Sequence, residues 1–222
     1  MVTIKEPTAT NMATRTAVIL VFFVAAFTAA LAVVYNMTKP AIDASAAEEK
    51  MRMINEVLPS ALYDNELLTD TLTLAPTPEL GQDDESTVYR ARLKGEPSTL
   101  VLEAVAPDGY SGKIRMLLAI RANGEIAGVR VTLHKETPGL GDYIEPKKDK
   151  NKTNPWITQF NGLSMEKMPT PGQWKVKKDG GHFDSVAGAT VTPRAVVKAV
   201  YKAAKFATDN RERLFAVKSA KE

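Results

Sequence analysis

The chain has 222 residues, 44% of them hydrophobic, with 29 Lys and Arg against 26 Asp and Glu for a net charge of +3. That length holds one domain of ordinary size with additional segments, and so mild a charge gives no footing for nucleic-acid binding. With no cysteine and only two histidines, His134 and His182, disulfides, thiolate-bound zinc, cysteine-ligated iron–sulfur clusters and a histidine-rich metal site are all excluded, so any redox role needs an organic cofactor.

Residues 1–16 form a short tail, followed by the uncharged run AVILVFFVAAFTAALAVV from Ala17 to Val34 and then Tyr35. Roughly 20 apolar residues suffice for a helix to cross the hydrocarbon core, whereas the apolar part of a signal peptide is typically about 7–15. The Ala30-Leu31-Ala32 triplet resembles a cleavage signal, so removal is the competing reading, but the length of the run favours an anchor over 17–35. Lys5 and Arg15 precede the segment, and Glu48 and Glu49 follow it. The positive-inside rule then keeps the N-terminal tail in the cytoplasm and exports the rest.

Lys39-Pro40 is expected to bend the exit from the membrane, since proline removes a helical hydrogen bond. From Ile42 to Leu58 helical spacing returns, with Ala47, Met51, Ile54 and Leu58 on one face, and the pattern stops at Pro59. This stand-off helix opens the region 36–98. Thr69 to Ser86 is rich in Thr, Pro, Asp and Glu and reads as a connecting loop with one short strand. Two hairpins follow. Thr87–Leu93 and Ser98–Val105 flank a Lys-Gly-Glu-Pro turn, while Ile114–Arg121 and Glu125–His134 flank Ala-Asn-Gly. Beyond a lysine-rich stretch from Glu145 to Thr153, Pro155 to Phe160 reads as a helical turn. Pro193 to Asn210 is an amphipathic helix with Val196, Val200, Ala203 and Ala207 along its apolar stripe. No internal repeat is present. These elements predict an α+β fold, an antiparallel sheet with helices packed against it behind one transmembrane helix.

Two runs carry the chemistry. In Asp184-Ser-Val-Ala-Gly-Ala-Thr-Val-Thr-Pro193, Thr190 follows the small residues Gly188 and Ala189. Thr192 is suited to cap the next helix and Pro193 to be its first residue, where the missing N–H costs nothing. A phosphate there would meet unsatisfied N–H groups and the positive end of the helix dipole. In His134-Lys-Glu-Thr-Pro-Gly-Leu-Gly-Asp142 a strand runs into a glycine-rich loop, and Gly139 and Gly141 permit positive φ, presenting backbone N–H groups to a ligand. The run matches neither a Walker loop nor the GxGxxG fingerprint, so a noncovalent NAD site is unsupported. Taken singly, each run is also what an ordinary turn or helix cap requires.

Taken together they resemble a family. The pattern D-x-x-[ST]-G-A-T-x-T, HKETPGLGD, Gly109-Tyr110-Ser111-Gly112 and the run from Trp174 to Gly181 occur in order over about Pro107 to Ala207. They are similar to the covalent FMN-binding domains of the RnfG subunits of Rnf-type ion-translocating electron-transport complexes, to which the NqrC subunit of the sodium-pumping NADH:quinone reductase is related. Ala187 stands where that family usually has Ser or Thr. The resemblance implies FMN esterified through its phosphate to Thr190 by a flavin transferase that uses FAD, with Asp184 and Thr192 read by that enzyme. It implies a cofactor site of Thr190, Gly188, Ala189, Asp184, Thr192, Glu136, Thr137, Gly139, Leu140 and Gly141, within an FMN-binding domain over 99–210 and ahead of a C-terminal tail, 211–222. Pro138 and Leu140 would cover a face of the flavin ring. No catalytic side chain and no metal is expected, because the cofactor carries the chemistry.

The resemblance further implies an electron relay in a complex that moves electrons between ferredoxin and NAD, coupled to sodium or proton pumping. Its partners would be the other membrane subunits and the transferase, with the FMN domain on the periplasmic side of a bacterial inner membrane. Lys177 and Lys178 are candidates to balance the phosphoester charge, against the plainer reading of an exposed charged strand. Trp156 and Trp174 are expected in the core and His134 in a strand-end hydrogen bond. Two alternatives stand beside this: the equivalent component of the sodium-pumping quinone reductase, and a membrane-tethered scaffold without flavin. HKETPGLGD and the Thr192-Pro193-Arg194 sequence favour the Rnf branch.

Overall fold

A computed structural model describes residues 8–216. Contacts divide the chain into two compact units, Met1–Glu49 and Lys50–Glu222. Helix α1 (Ala9–Asn55) is 47 residues long and contains an 18-residue window of mean hydropathy 2.9. Along it Phe22, Phe23, Phe27 and their apolar neighbours are all exposed, as suits a helix whose solvent is lipid. The helix is unbroken at Pro40, so the expected membrane span and stand-off helix are one element. Proline deletes a single ladder bond there, while Ala41, Ala44, Ala46 and Ala47 are strong helix formers that carry the helix onward.

The second unit is built on a five-stranded antiparallel meander in the order β1 (Thr71–Leu74), β2 (Ser86–Leu93), β3 (Glu96–Gly109), β4 (Gly112–Arg121), β5 (Ile126–Leu133). Both expected hairpins are present, and β3 runs on to Gly109, four residues past its expected end. The sheet is one piece, so it crosses the boundary expected at residue 98. Side chains alternate between two buried faces, as the strand period of two requires. Leu100, Leu102, Ala104 and Ala106 of β3 join the larger core, whereas Val101 joins the smaller one with Tyr89, Leu117 and Ala119. The smaller core is closed by Ile54, Val57 and Leu58, at and just beyond the end of α1.

The larger core is closed by α2 (Val191–Asp209), whose buried stripe includes Ala195, Val196, Ala199, Val200, Ala203 and Ala207. Its alanines let the helix axis approach the sheet, and Lys198, Lys202 and Lys205 stay outside. The segment expected as a tail opens with a further helix, α3 (Arg211–Ala216), because Leu214 and Phe215 bury themselves in the same core. Between β5 and α2 the chain is mostly irregular, with a 3-10 helix at Trp156–Phe160 where a helical turn was expected. It is held by an aromatic chain: Trp156 meets Phe160 at 5.6 Å, Phe160 meets Phe183 at 4.7 Å, and Phe183 meets Trp174 at 5.7 Å. Both tryptophans are therefore core anchors, as expected.

Sheet and covering segment lie in backbone contact at Gly128, where an added Cβ would lie 2.6 Å from the Val57 carbonyl oxygen. Backbone cannot give way as a flexible side chain does, so Gly128→Ala is expected to destabilise by about 1–3 kcal/mol. Gly172→Ala, with nothing within 4 Å of the new methyl, should leave the melting temperature unchanged or slightly raised. Thermal unfolding of the detergent-solubilised chain checks both, and equal melting temperatures for the two variants would contradict the packing described.

Candidate functional site

Three segments converge on one cleft: the β3–β4 turn, the loop after β5, and the N-terminus of α2. Its lining is Tyr110, Glu136, Thr137, Leu140, Gly141, Gly188, Ala189, Thr190, Val191 and Thr192, around a space of about 420 Å³ open to solvent. Eight of the ten residues expected in the site are thus brought together, from stretches more than forty residues apart in sequence. Gly139 and Asp184 are not among the lining residues.

The buried carboxylate of Glu136 joins the three walls. It is 4% exposed. Oε1 accepts the Ser111 N–H at 3.0 Å, from the β3–β4 turn, and Oε2 accepts a short hydrogen bond from the Thr192 hydroxyl on α2. Glycine makes room on both sides. A Cβ at Gly109 would stand 2.9 Å from Oε1, and one at Gly141 would stand 2.8 Å from Oε2 and 2.7 Å from the Thr192 hydroxyl oxygen. On the strand side, His134 Nδ1 accepts the Glu136 N–H at 3.1 Å while Nε2 faces Glu145 at 3.4 Å. That fixes the ring as the strand-end hydrogen-bonding histidine expected from sequence.

The glycine-rich loop works differently from the expectation. Gly139 has φ +76 but Gly141 does not have positive φ. The Gly139 N–H donates to Asp142 Oδ1 at 2.8 Å, and the Leu140 and Gly141 N–H groups donate to the Thr137 carbonyl at 3.1 and 3.0 Å. These donors close the turn instead of facing a ligand. Gly141 is required for the close approach of Glu136 and Thr192, not for its dihedral angles.

Helix α2 begins at Val191, two residues earlier than expected, with Thr190 at the N-cap position. The Thr192 side chain is therefore no cap: its hydroxyl is committed to Glu136. Pro193 stands third in the helix, where an N–H would also have no intrahelical acceptor. Thr190 makes no capping hydrogen bond. It is only 8% exposed, so the hydroxyl reaches solvent through the cleft and not from an open surface. The first turn closes on it, with the Arg194 N–H donating to the Thr190 carbonyl at 3.2 Å. Arg194 also forms a two-pronged ion pair with Asp179, both contacts 2.6 Å. Each partner is held in its charged form by the other, the carboxyl of Asp179 below and the guanidinium of Arg194 above its ordinary range.

Beneath the 184–190 segment, Trp156 Nε1 donates to the Asp184 carbonyl at 2.7 Å and the Asp184 N–H donates to Gln159 at 2.9 Å. The Tyr143 hydroxyl donates to the Ala189 carbonyl at 3.4 Å and accepts the Val186 N–H at 3.5 Å. The Asp184 carboxylate pairs with Lys177 at 2.6 Å. Lys177 therefore neutralises Asp184, and the structure does not bring it to Thr190. Two lining residues were not expected from sequence: Tyr110, which belongs to one of the motifs but not to the expected site, and Val191. Tyr110 is 70% exposed and Leu140 49%. A tyrosine inside the Gly109-Tyr110-Ser111-Gly112 turn was the available signal.

Comparison with known proteins places this geometry. Residues 109–205 match the model of the FMN-binding domain, and residues 8–57 match that of the RnfG N-terminal region. The chain is thus a flavin-domain protein with a helix apolar enough to cross a membrane. It is 45% identical to the G-subunit of the ion-translocating oxidoreductase complex of Pseudomonas aeruginosa strain UCBPP-PA14, over 93% of this chain and 94% of that one. The G-subunits of the same complex in Vibrio atlanticus and Shewanella oneidensis are 39% and 38% identical, over 93% and 92% of this chain and 95% and 94% of theirs. The chain belongs to the G-subunit family of ion-translocating oxidoreductase complexes.

Two outcomes are expected from the site. Glu136→Ala leaves the buried Thr192 hydroxyl and the part-buried Ser111 N–H without their partner, and should cost about 1–3 kcal/mol. Thr192→Val should cost a similar amount, and the double variant less than the sum, since both remove one network. Additive losses in a thermal-unfolding cycle would contradict the link. Second, burial raises the Tyr143 hydroxyl from an ordinary 10.0 to about 12, with a smaller contribution from Asp149 and some opposition from the Val186 N–H. The folded state then favours the neutral phenol. That stability is fully present below the unfolded value near 10 and is lost as pH rises through the folded value. Phenolate absorbance during alkaline titration should show one late tyrosine in the folded protein that Tyr143→Phe removes.

Proposed function

We propose that this chain is the electron-relay subunit of an Rnf-type complex and that it carries FMN covalently on Thr190. The single observation that carries the reading is the Thr190 hydroxyl. It makes no hydrogen bond among the described residues, lines the cleft, and stands at the N-terminus of a 19-residue helix within the matched FMN-binding domain. The residues fit a phosphorylated, planar aromatic ligand. Val191 and Thr192, the first two helical residues, have N–H groups without intrahelical acceptors, and the helix dipole favours a phosphate there. Tyr110 and Leu140 supply exposed apolar surface for a ring.

The attachment is a phosphoryl transfer catalysed by a flavin transferase. The Thr190 hydroxyl oxygen bonds to the FMN phosphorus of FAD, the pyrophosphate bond breaks, AMP leaves with the bridging oxygen, and the hydroxyl proton is released. Bound FMN supplies reversible one- and two-electron chemistry. The chain's own residues hold and orient it: Glu136 and Thr192 fix the wall, Gly188 and Ala189 leave the approach clear, and the Tyr143, Trp156 and Gln159 side chains support the segment that bears Thr190. No side chain is required as acid, base or nucleophile in the relay itself.

In this reading the complex carries electrons between ferredoxin and NAD and pumps sodium or protons. Helix α1 anchors the protein in the inner membrane with its N-terminus cytoplasmic, supported by Lys5 and Arg15 before the apolar run and Glu48 and Glu49 after it. The FMN domain lies in the periplasm. A covalent bond makes retention independent of affinity where lost cofactor would be hard to recover.

Thr190→Val keeps the shape of the side chain and removes only the hydroxyl, which makes no hydrogen bond among the described residues. It is expected to fold with an unchanged melting temperature and to lose the fluorescent flavin band on a denaturing gel. A persistent fluorescent band in the variant would refute Thr190 as the attachment point.

A further inference from the structure

The 184–190 segment is the wall between two depressions. Gly188, Ala189 and Thr190 line the flavin cleft, while Asp184 and Val186 line a second groove with Tyr143, Asp149, Asn151, Asn154, Trp156 and Gln159, of about 520 Å³ and open to solvent. The two share no lining residue.

The loop that contributes Asp149, Asn151 and Asn154 to the second groove presents charge of one sign, while the exposed Asp184 carboxylate in the opposite wall is paired with Lys177. In the loop 146–154 the one acidic residue, Asp149, is buried and spends its carboxylate on the chain itself, accepting the Asn151 N–H at 2.9 Å and the Trp156 N–H at 2.5 Å. This fold turns Lys147, Lys148, Lys150 and Lys152 outward, with their charged ends toward solvent. Lys148 is paired with Glu145 at 2.9 Å, and Lys152 donates to the Lys147 carbonyl at 2.6 Å. Lys147 and Lys150 form no ion pair among the described residues. Across the groove Lys177 stands on Asp184 and Lys178 is exposed beside it. A tight loop that internalises its only acid leaves a surface whose outward charge is wholly positive.

We propose that this lysine-rimmed groove is the docking surface for the flavin transferase, which meets it with an acidic face. The inference rests on the assignment of Thr190 as the acceptor and goes beyond it. An enzyme that modifies Thr190 must grip the segment bearing it. The groove offers that segment's other side, with Asp184 and Val186 in its wall, and leaves the cleft free for the flavin. An electron-transfer partner would instead approach the cleft mouth at Tyr110 and Leu140. The lysines steer and align the encounter, and the groove residues fix the register of Thr190.

The test uses the full chain in nanodiscs, purified without flavin, with purified transferase and FAD. Initial rates of flavin incorporation are read from band fluorescence and intact mass at several salt concentrations. Wild type is expected to slow steeply as salt rises, since screening shortens from about 8 Å at physiological ionic strength to about 3 Å at 1 M. The triple variant Lys147→Glu, Lys150→Glu, Lys152→Glu should slow about tenfold or more at low salt and lose the salt dependence. Lys→Gln at the same three positions should fall between them, and circular dichroism establishes that all are folded. A triple-Glu variant modified at the wild-type rate, with the wild-type salt dependence, overturns the docking surface while leaving Thr190 in place. No incorporation into wild type overturns the Thr190 reading instead. A rate difference seen only in nanodiscs of anionic lipid, and absent in neutral ones, assigns the lysines to lipid headgroups and also overturns the proposal.

Discussion

The site depends on one buried carboxylate. Glu136 lies where the β3–β4 turn, the loop leaving β5 and the start of α2 meet, and each contributes a donor or the space for one: the Ser111 N–H, the Thr192 hydroxyl, and the glycines at 109 and 141. A carboxylate buried this deeply is tolerable only with its lone pairs engaged. Satisfying it forces the three segments into a single arrangement, and the cleft is the space that arrangement leaves. The interaction therefore acts through geometry: it fixes where the α2 N-terminus lies relative to the loop that covers it.

Around that point the fold divides the work. The two-faced sheet and the alanine stripe of α2 supply rigidity, since packed apolar layers deform little. The irregular stretch between β5 and α2 supplies much of the cleft wall, stiffened by the aromatic chain from Trp156 to Trp174, by hydrogen bonds that Trp156 and Tyr143 donate to the 184–190 segment, and by one that Gln159 accepts from it. Few regular elements lie in this stretch, and side-chain contacts hold it in place of a ladder. The Thr190 hydroxyl, nearly buried, without a hydrogen bond among the described residues and on the lining of the cleft, is the result.

Much of this was legible in sequence. The Lys-Gly-Glu-Pro and Ala-Asn-Gly turns marked both hairpins, and the long apolar run marked the N-terminal helix. The two motifs named eight residues that the structure gathers into one cleft. What escaped was the role of individual atoms. Thr192 has the chemistry of a cap, but a buried carboxylate from a segment 56 residues away claims its hydroxyl, and no local pattern reveals that. Gly141 looked like a positive-φ position and is needed instead for close approach, a property of its neighbours in space. Pro40 was expected to bend the exit from the membrane, and the helix runs through it without a break, carried by the alanine-rich stretch that follows. Leu214 and Phe215 looked like part of a tail because their burial depends on a core assembled far upstream.

The measurement that bears most directly on Thr190 as a flavin carrier is the intact mass of the wild-type chain purified from its native membrane, followed by peptide mapping. The expected mass is that of the polypeptide plus FMN less one water, with the whole addition on the peptide containing Thr190. A native chain at its bare polypeptide mass, or an addition mapped to any other residue, would contradict it.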